Sequence, residues 1–317
     1  MKKVLYIVIP CYNEEDALLE TSKILKEKMI YLINKKVISK KSKVMYVNDG
    51  SKDKTWDLIK KIHDEDKMFT GICLSRNRGH QNALFAGLMI AKDNSDIVIS
   101  MDADMQDDIN VMEKMIEKNY DGNEIVYGVR SSRKNDSFFK KTTAQLFYKL
   151  LDFIGVDIIY NHADYRLTSK KVLDNLSEYK EINLFLRGIF PQIGYQSDIV
   201  YYERKKRNAG KSKYPLKKMI KFAWNGITSF SIKPLKMILH LGIAILILSI
   251  ITIVYSIIRK ITGHTVPGWT FIVCSIWFVS GLQMFSLGIV GEYIGKIYSE
   301  VKSRPRYIIS ENLELKK

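Results

Sequence analysis

The sequence predicts an α/β domain with a mostly parallel sheet, followed by an amphipathic interfacial helix and two transmembrane helices. Short apolar segments alternate with helical segments of about 10–15 residues through the first part of the chain, which is typical of parallel strands with crossover helices. A basic amphipathic stretch follows, and two long apolar runs without Lys, Arg, Asp or Glu come after it. With 317 residues, the chain is long enough for one large domain and a smaller part.

These patterns divide the chain into four parts. We predict an α/β domain at 1–212, an amphipathic juxtamembrane segment at 213–232, two transmembrane helices within 233–293 and a C-terminal tail at 294–317. The formal charge of +16 indicates an anionic partner, such as nucleic acid, a phosphorylated substrate or anionic lipid. Nucleic-acid binding explains the charge but leaves the apolar runs unexplained, so we expect no nucleic-acid partner.

The predicted strands of the first part each end in a polar cluster. The strand segments are VLYIVIP, KVMYVNDGS, TGICLS, DIVISMD and EIVYGVR, and helices are predicted to begin near Glu14, Asp53, Gln81 and Ile109. Ligands of parallel α/β sheets bind beyond the carboxyl ends of the strands. The clusters PCYNEE, NDGS, SRNRG and DADMQDD follow strands and are therefore predicted to form the site. Neither a GxGxxG nor a GxxxxGK[ST] motif is present in the sequence.

The C-terminal third carries the predicted membrane segments. At about 1.5 Å per residue, Ile238–Ile258 and Thr270–Val290 are each long enough to cross a bilayer. Apolar residues of Pro215–Phe230 recur at helical spacing opposite three lysines, which favours a helix lying in the headgroup plane. Lys and Arg are concentrated before the first run and after the second. The positive-inside rule therefore places both termini and the large domain in the cytoplasm.

The acidic sequence MDADMQDD follows a predicted strand and suggests a metal site. If the chain stays extended there, Asp102 and Asp104 point to the same side, and Gln106 continues that side. Such oxygens suit Mg²⁺ or Mn²⁺. A calcium loop fits less well, because Asp107 occupies the position that needs glycine and a strand comes first. The other alternative is a solvated acidic turn with a helix cap, which we favour for Asp107 and Asp108.

Eight motifs in order carry a family resemblance: IPCYNEE, VNDGS, SRNRGHQNA, MDADMQDD, GVRSSR, ADYRL, FLRG and RNAGKSKYP. Together they resemble the family 2 glycosyltransferases that act on polyprenyl phosphate. These include the dolichol-phosphate mannose synthases and, closer, the bactoprenol glucosyltransferases with two C-terminal spans. The resemblance implies the GT-A fold, a nucleotide-sugar-binding α/β domain. The QxxRW motif of processive synthases is not found in the sequence, so one sugar is expected per turnover.

The resemblance also implies residue roles. Asp102, Asp104 and Gln106 would hold the metal, and Asp49 would accept hydrogen bonds from the base or ribose. The residues implied to bind the nucleotide sugar are Pro10, Tyr12, Glu14, Asp49, Asp102 and Ala103.

A second group of residues is implied to act on phosphate and acceptor. Arg130, Arg207 and Lys213 would face substrate phosphates, with Arg130 counted as catalytic. Asp164 of ADYRL would orient or deprotonate the acceptor. A phosphate monoester has a second pKa near ~6 and needs little help from a base at neutral pH. We therefore favour an orienting or electrostatic role for Asp164. His80 and His162 are interpreted as solvated loop histidines.

The function implied is inverting, metal-dependent transfer of one sugar, from UDP-glucose as first choice, to undecaprenyl phosphate at the cytoplasmic face of the cell membrane. The product would serve the modification of cell-envelope glycans. UDP-GlcNAc or another nucleotide sugar is the alternative donor. Two other functions stay open, a membrane-anchored nucleotide-sugar sensor without turnover and a nucleotidyltransferase. The implied partners are the UDP-sugar, undecaprenyl phosphate, the lipid bilayer and other copies of the chain, in a tetramer by family resemblance.

Overall fold

The computed structural model describes residues 2–131, 159, 162–182, 184–203, 233–262 and 268–314. The described residues up to 203 and from 305 onward form one compact unit, and those between 233 and 304 form a second. The predicted amphipathic helix at Pro215–Phe230 lies outside the described residues. So do Arg207 and Lys213 of the motif RNAGKSKYP.

The first unit is built on a mixed sheet of eight described strands in the order β7-β5-β6-β4-β1-β2-β3-β8. The strands are β1 (Leu5–Cys11), β2 (Lys43–Asn48), β3 (Phe69–Leu74), β4 (Ile97–Ser100), β5 (Ile125–Arg130), β6 (His162–Ser169), β7 (Ser197–Tyr202) and β8 (Ile309–Asn312). The four central strands are parallel, as predicted, and β7 is parallel to β5. In contrast, β6 is antiparallel to β4 and β5, and β8 is antiparallel to β3. The prediction of an α/β sheet is confirmed, with these antiparallel additions.

Six described helices cover the sheet, of which the alternating pattern predicts the first four. They are α1 (Glu15–Asn34), α2 (Thr55–Glu65), α3 (His80–Lys92), α4 (Val111–Tyr120), α5 (Lys170–Glu178) and α6 (Leu186–Gln192). The helix α1 buries Leu18, Leu25, Met29 and Leu32 at steps of seven, four and three residues, which is the spacing of one helix face. The helix α3 packs close to the sheet because a Cβ at Gly87 would lie 2.5 Å from side-chain atoms of both Val8 and Val47.

The strand β6 positions polar side chains at the carboxyl end of β4. Its residues Tyr165 and Leu167 belong to the apolar core, whereas His162, Asp164 and Arg166 alternate with them and are also buried. Because β6 runs antiparallel to β4, its first residues lie beside the end of β4. The Ser100 hydroxyl donates to the Asp164 backbone carbonyl at 2.5 Å and fixes this register.

The second unit contains two helices that contact each other, α7 (Lys233–Ile261) and α8 (Trp269–Val301). Large apolar side chains are exposed on both, including Leu239, Ile247, Leu248, Phe278, Met284 and Phe285. In the described part of the chain, none of the helices combines the length and hydropathy of a membrane-spanning segment. The two predicted transmembrane helices are therefore not confirmed.

The segment after α8 returns to the sheet. The boundary predicted at 294 falls inside α8, and β8 pairs with β3 at the sheet edge. Glu314 then accepts hydrogen bonds from the Tyr6 hydroxyl at 2.9 Å and from Lys43 Nζ at 2.7 Å. The predicted tail at 294–317 thus contains the end of a helix and an edge strand of the eight-stranded sheet.

Candidate active site

Asp49 joins two loops at the carboxyl edge of the sheet. Its buried carboxylate accepts hydrogen bonds from the backbone N–H groups of Arg78, at 2.6 Å, and Gly79, at 2.9 Å. Burial raises the pKa of Asp49, although these two N–H groups oppose the shift. The neighbouring Gly50 has a φ of +62°, and a Cβ there would lie 2.5 Å from the backbone of Arg76. Asp49 therefore holds the NDGS and SRNRG loops together, and its contact with the nucleotide stays a prediction.

The turn after β1 also lies at the carboxyl edge of the sheet. Pro10 is buried in the strand, whereas the Tyr12 side chain is 37% exposed. Asn13 adopts a φ of 53°, and its side-chain oxygen accepts a hydrogen bond from the Lys52 backbone N–H at 2.9 Å. Glu14 follows at the start of α1 and is partly exposed. The structure thus brings the residues predicted from the first two motifs to one edge, and their contact with the nucleotide sugar stays a prediction.

The loop of Asp102 is not extended. The chain turns at Ala103 and Asp104, and Met105 takes a left-handed conformation with φ 51°. The assumption that placed Asp102, Asp104 and Gln106 on one side of an extended chain is therefore wrong. All three side chains are nevertheless partly exposed in one short loop, and the Asp104 carboxylate accepts a hydrogen bond from the Gln106 backbone N–H at 3.2 Å.

The oxygens of this loop have the chemistry that Mg²⁺ and Mn²⁺ prefer. Among the described residues, no three His, Cys, Asp or Glu side chains are grouped so that they could hold a metal ion. The carboxylates of Asp102 and Asp104 do bring negative charge close to Asp107, and both act to raise its pKa. Divalent cations bind where carboxylate oxygens lie close together in this way. The assignment of the metal ligands remains a prediction.

Asp107 is buried, and its interpretation as a solvated turn residue is wrong. The Tyr202 hydroxyl donates to its Oδ1 at 2.5 Å, and the Arg130 guanidinium lies 3.7 Å from the same oxygen. Burial and the charge of Asp102 raise the pKa of Asp107 to about 6, against the opposing effects of Arg130 and Tyr202. Asp108 is partly exposed, and its side chain accepts a hydrogen bond from a backbone N–H two residues on, as expected for a turn.

Arg130 is the one predicted phosphate-facing cation that lies among the described residues. It ends β5, and its side chain is 21% exposed. Its Nε donates to the Tyr202 hydroxyl at 3.4 Å, so Arg130, Tyr202 and Asp107 form one cluster at the edge of β5 and β7. This position suits a contact with substrate phosphate, which stays a prediction.

Asp164 lies at the centre of a second cluster. Arg166 Nη2 donates to its Oδ1 at 2.6 Å, and Arg187 of α6 contacts both carboxylate oxygens, at 3.2 and 3.0 Å. His80 Nε2 lies 3.5 Å from its Oδ2. Burial acts to raise the pKa of Asp164, but Arg187, His80 and Arg166 outweigh burial and hold the pKa well below its usual range. The carboxylate is ionised and paired, which favours an orienting role over that of a general base.

His80 connects the two acidic clusters and is not the solvated histidine that we predicted. It is the first residue of α3, and its Nε2 lies 3.7 Å from Asp102 Oδ1 as well as close to Asp164. Burial lowers its pKa, but the hydrogen bond with Asp164 and the charges of both aspartates outweigh burial and raise it. Its position after Gly79, at a predicted helix start on the carboxyl edge of the sheet, is the signal that indicates the site.

His162 is buried, unlike the partly exposed His80, so its interpretation as solvated is wrong. Its Nδ1 lies 2.7 Å from the Ile159 carbonyl oxygen. Burial lowers its pKa to about 3, with help from the charges of Arg166 and Arg187. The neutral ring therefore donates from Nδ1 to the carbonyl. Arg187 is also missing from the predicted site, although its motif FLRG is part of the resemblance.

Sequence comparison agrees with this arrangement of loops. Residues 6–177 match Glycosyl transferase family 2, and residues 233–297 match the GtrB C-terminal hairpin. Glycosyltransferase YkoT of Bacillus subtilis is 53% identical over 98% of this chain and 92% of its own length. The SfII prophage-derived bactoprenol glucosyl transferase of Shigella flexneri is 38% identical over 96% of this chain and 97% of its own length. The chain therefore belongs to Glycosyl transferase family 2 and is a glycosyltransferase with a C-terminal hairpin of the GtrB type.

Proposed function

We propose that this glycosyltransferase transfers one sugar, glucose from UDP-glucose as first choice, to undecaprenyl phosphate with inversion at the anomeric carbon. The observation that carries the proposal is the similarity to proteins named bactoprenol glucosyl transferase, which extends over 96% of the chain. It includes the C-terminal hairpin as well as the catalytic domain. The clusters around Asp102 and Asp164 supply the charged groups that such a transfer needs.

The first requirement is to stabilise the leaving nucleoside diphosphate. Breaking the sugar–diphosphate bond leaves negative charge on that group, and fixed opposite charges lower the barrier. Mg²⁺ or Mn²⁺ held by Asp102, Asp104 and Gln106 would supply positive charge at the diphosphate. Arg130 adds a guanidinium from the end of β5, where Asp107 and Tyr202 hold it.

The second requirement is an activated acceptor. A lipid phosphate monoester is mostly ionised at neutral pH, because its second pKa lies near ~6. It is therefore a nucleophile without proton removal, which agrees with an Asp164 carboxylate that is already paired with arginines. Direct attack on an α-linked donor gives a β-linked lipid product.

The proposal also places the protein at the cytoplasmic face of the cell membrane, with the hairpin of α7 and α8 in the bilayer. The long isoprenoid tail of the acceptor stays in lipid, and the exposed apolar side chains of the two helices suit that surrounding. In a variant without native cysteines, we expect a cysteine at Thr262 to react with an impermeant thiol reagent added outside whole cells. A cysteine at Lys316 should be protected, and the opposite pattern would contradict this orientation.

The reaction is tested with purified full-length protein in detergent. Undecaprenyl phosphate is incubated with UDP-glucose, UDP-GlcNAc, UDP-galactose or GDP-mannose, and the lipid product is weighed by mass spectrometry. We expect the mass of one hexose to be added from UDP-glucose, and no product with EDTA present until Mg²⁺ or Mn²⁺ is restored. Product from UDP-GlcNAc alone would correct the donor. Absence of lipid product with every donor would contradict the proposed function, and full activity in EDTA would contradict the metal.

A further inference from the structure

Arg187 of the motif FLRG lies in the site, but the proposed reaction gives this residue no role. We propose that Arg187 binds a substrate phosphate, and that Asp164 and Arg166 are the positioning residues that aim its guanidinium. This inference rests on the proposed function, because it assigns Arg187 to a phosphate of one of the two substrates. The structure supports it through geometry, exposure and charge.

The geometry fixes the guanidinium of Arg187. Arg166 is 1% exposed, stacks on the ring of Phe190 at 4.4 Å and contacts Asp164 Oδ1 at 2.6 Å, so the carboxylate cannot rotate freely. Arg187 then places Nε on one oxygen of Asp164 and Nη2 on the other, at 3.2 and 3.0 Å. Two parallel contacts of this kind define the plane of a guanidinium as well as its position.

The two arginines differ in exposure. The side chain of Arg166 is 1% exposed, whereas that of Arg187 is 28% exposed. The carboxylate that holds Arg187 lies 3.5 Å from His80 Nε2, and the same nitrogen lies 3.7 Å from Asp102. Arg187 is therefore presented to solvent within a short chain of contacts from the loop assigned to the donor diphosphate.

The cationic groups around Asp164 suit the approach of an anion. Its carboxylate is contacted by two guanidinium groups and one imidazole, and that imidazole also lies 3.7 Å from Asp102. Arg166 alone would complete a buried structural ion pair with Asp164. A second, partly exposed arginine on the same carboxylate suits a phosphate that arrives from solution, because Arg binds phosphate through a planar fork.

The test measures binding directly, so that it does not depend on turnover. Equilibrium binding of UDP and of undecaprenyl phosphate is measured in detergent micelles for the wild type, Arg187→Ala, Arg187→Lys and Lys171→Ala. Lys171 is the matched control, because its side chain is 61% exposed and lies 4.0 Å from Glu124 outside the site. We expect Arg187→Ala to weaken binding of one ligand about ten- to hundred-fold, as for loss of a charge-assisted contact. Arg187→Lys should lose less, and Lys171→Ala should bind as the wild type does.

The ligand whose binding weakens identifies the source of the phosphate. Loss confined to UDP assigns Arg187 to the donor, and loss confined to the lipid assigns it to the acceptor. Unchanged binding of both ligands by Arg187→Ala would overturn the inference. Should that variant not fold, Arg187→Gln decides in the same way, because it keeps a hydrogen-bond donor for Asp164 without the charge. A wild type that binds UDP but makes no lipid product would contradict the proposed function and leave this test intact.

Discussion

Asp164 and the aspartates of the acidic loop, residues 102–108, lie at the same edge of the sheet, and their surroundings are opposite. Asp164 is contacted by Arg166, Arg187 and His80, and its pKa is held well below the usual range. Asp107 lies near Asp102 and Asp104, and burial together with these like charges raises its pKa to about 6. Among the described residues, cationic groups surround Asp164, whereas Asp107 lies close to two further carboxylates as well as to Arg130.

This difference indicates where a cationic ligand and an anionic ligand are each expected to bind. The acidic loop brings the carboxylates of Asp102, Asp104 and Asp107 close together, which suits a metal ion and the diphosphate that the ion accompanies. The Asp164 cluster presents the guanidinium of Arg187 to solvent, which suits an anionic phosphate group. His80 lies between them, so the two halves of the site share one imidazole. Four substitutions test whether the two surroundings differ in this way.

The largest effect on stability is expected for substitution of Asp164. Asp164→Asn leaves Arg166 buried without its counter-charge and should lower the free energy of unfolding by about 3–5 kcal/mol. Because the folded-state pKa of Asp164 is depressed, the stability it contributes is present above pH ~4 and is lost as the pH falls further. Urea unfolding of the full chain in detergent measures both effects.

The control for this substitution is Asp174→Asn. Asp174 is a half-exposed carboxylate, 3.1 Å from Lys92, and its loss should cost less than about 1 kcal/mol. Equal stability of Asp164→Asn and the control would contradict the view that Asp164 organises the buried cluster.

The second effect separates function from stability. Asp102→Asn removes a partly exposed charge from the acidic loop, so we expect turnover to fall about hundred-fold or more, equivalent to ~2.7 kcal/mol, with little change in unfolding. Initial rates of lipid glycosylation and urea unfolding are measured on the same preparation. Retained turnover would remove Asp102 from the metal site, and a loss of stability like that of Asp164→Asn would erase the contrast between the two groups.

The third effect is a pH dependence in the Asp164 cluster. His162 has a pKa of about 3 in the folded protein, whereas an ordinary histidine titrates near ~6.5. Its stabilising contribution is therefore complete above pH ~6.5 and is lost as the pH falls toward 3. The loss is about 2 kcal/mol between pH 6.5 and 5.

The variant His162→Asn keeps a donor for the Ile159 carbonyl but does not take up a proton. Urea unfolding at pH 7 and pH 5 should show a smaller loss of stability in the variant than in the wild type. Identical losses in both proteins would show that His162 does not control this dependence.

The smallest effect is expected for substitution of Tyr202, whose hydroxyl contacts the buried Asp107 of the acidic loop. Tyr202→Phe removes the hydroxyl that donates to Asp107, and we expect a loss of about 1–2 kcal/mol in the free energy of unfolding at pH 7.5. Tyr201→Phe is the matched control, because the neighbouring Tyr201 side chain is 65% exposed. If the two variants unfold alike, the hydroxyl does not support the Asp107 carboxylate.

The central strands and their helices are predictable because local patterns determine them. Apolar runs such as Leu5–Cys11 are buried on both faces, and α1 repeats its apolar residues at helical spacing. The strand β6 does not show this pattern, because His162, Asp164 and Arg166 occupy one of its faces. The strand β6 is accordingly absent from the strands predicted from the sequence.

The site is predictable where its residues follow strands directly, as Asp49 and Asp102 do. It is not predictable where contacts join distant segments. Asp164 draws partners from α3 and α6, and neither His80 nor Arg187 carries a local signal that names this carboxylate. Asp107 accepts its hydrogen bond from Tyr202 of β7, a residue distant in sequence that the tertiary fold brings close to it.

The return of the chain at β8 has a practical consequence for anyone who isolates the catalytic domain. A protein ended before α7 would lack the hairpin and also the outermost strand of the sheet. The edge of β3 would then be open to pairing with other chains, and Tyr6 and Lys43 would lose Glu314. A soluble form is better sought by joining the domain to residues 305–314 through a short linker in place of the hairpin.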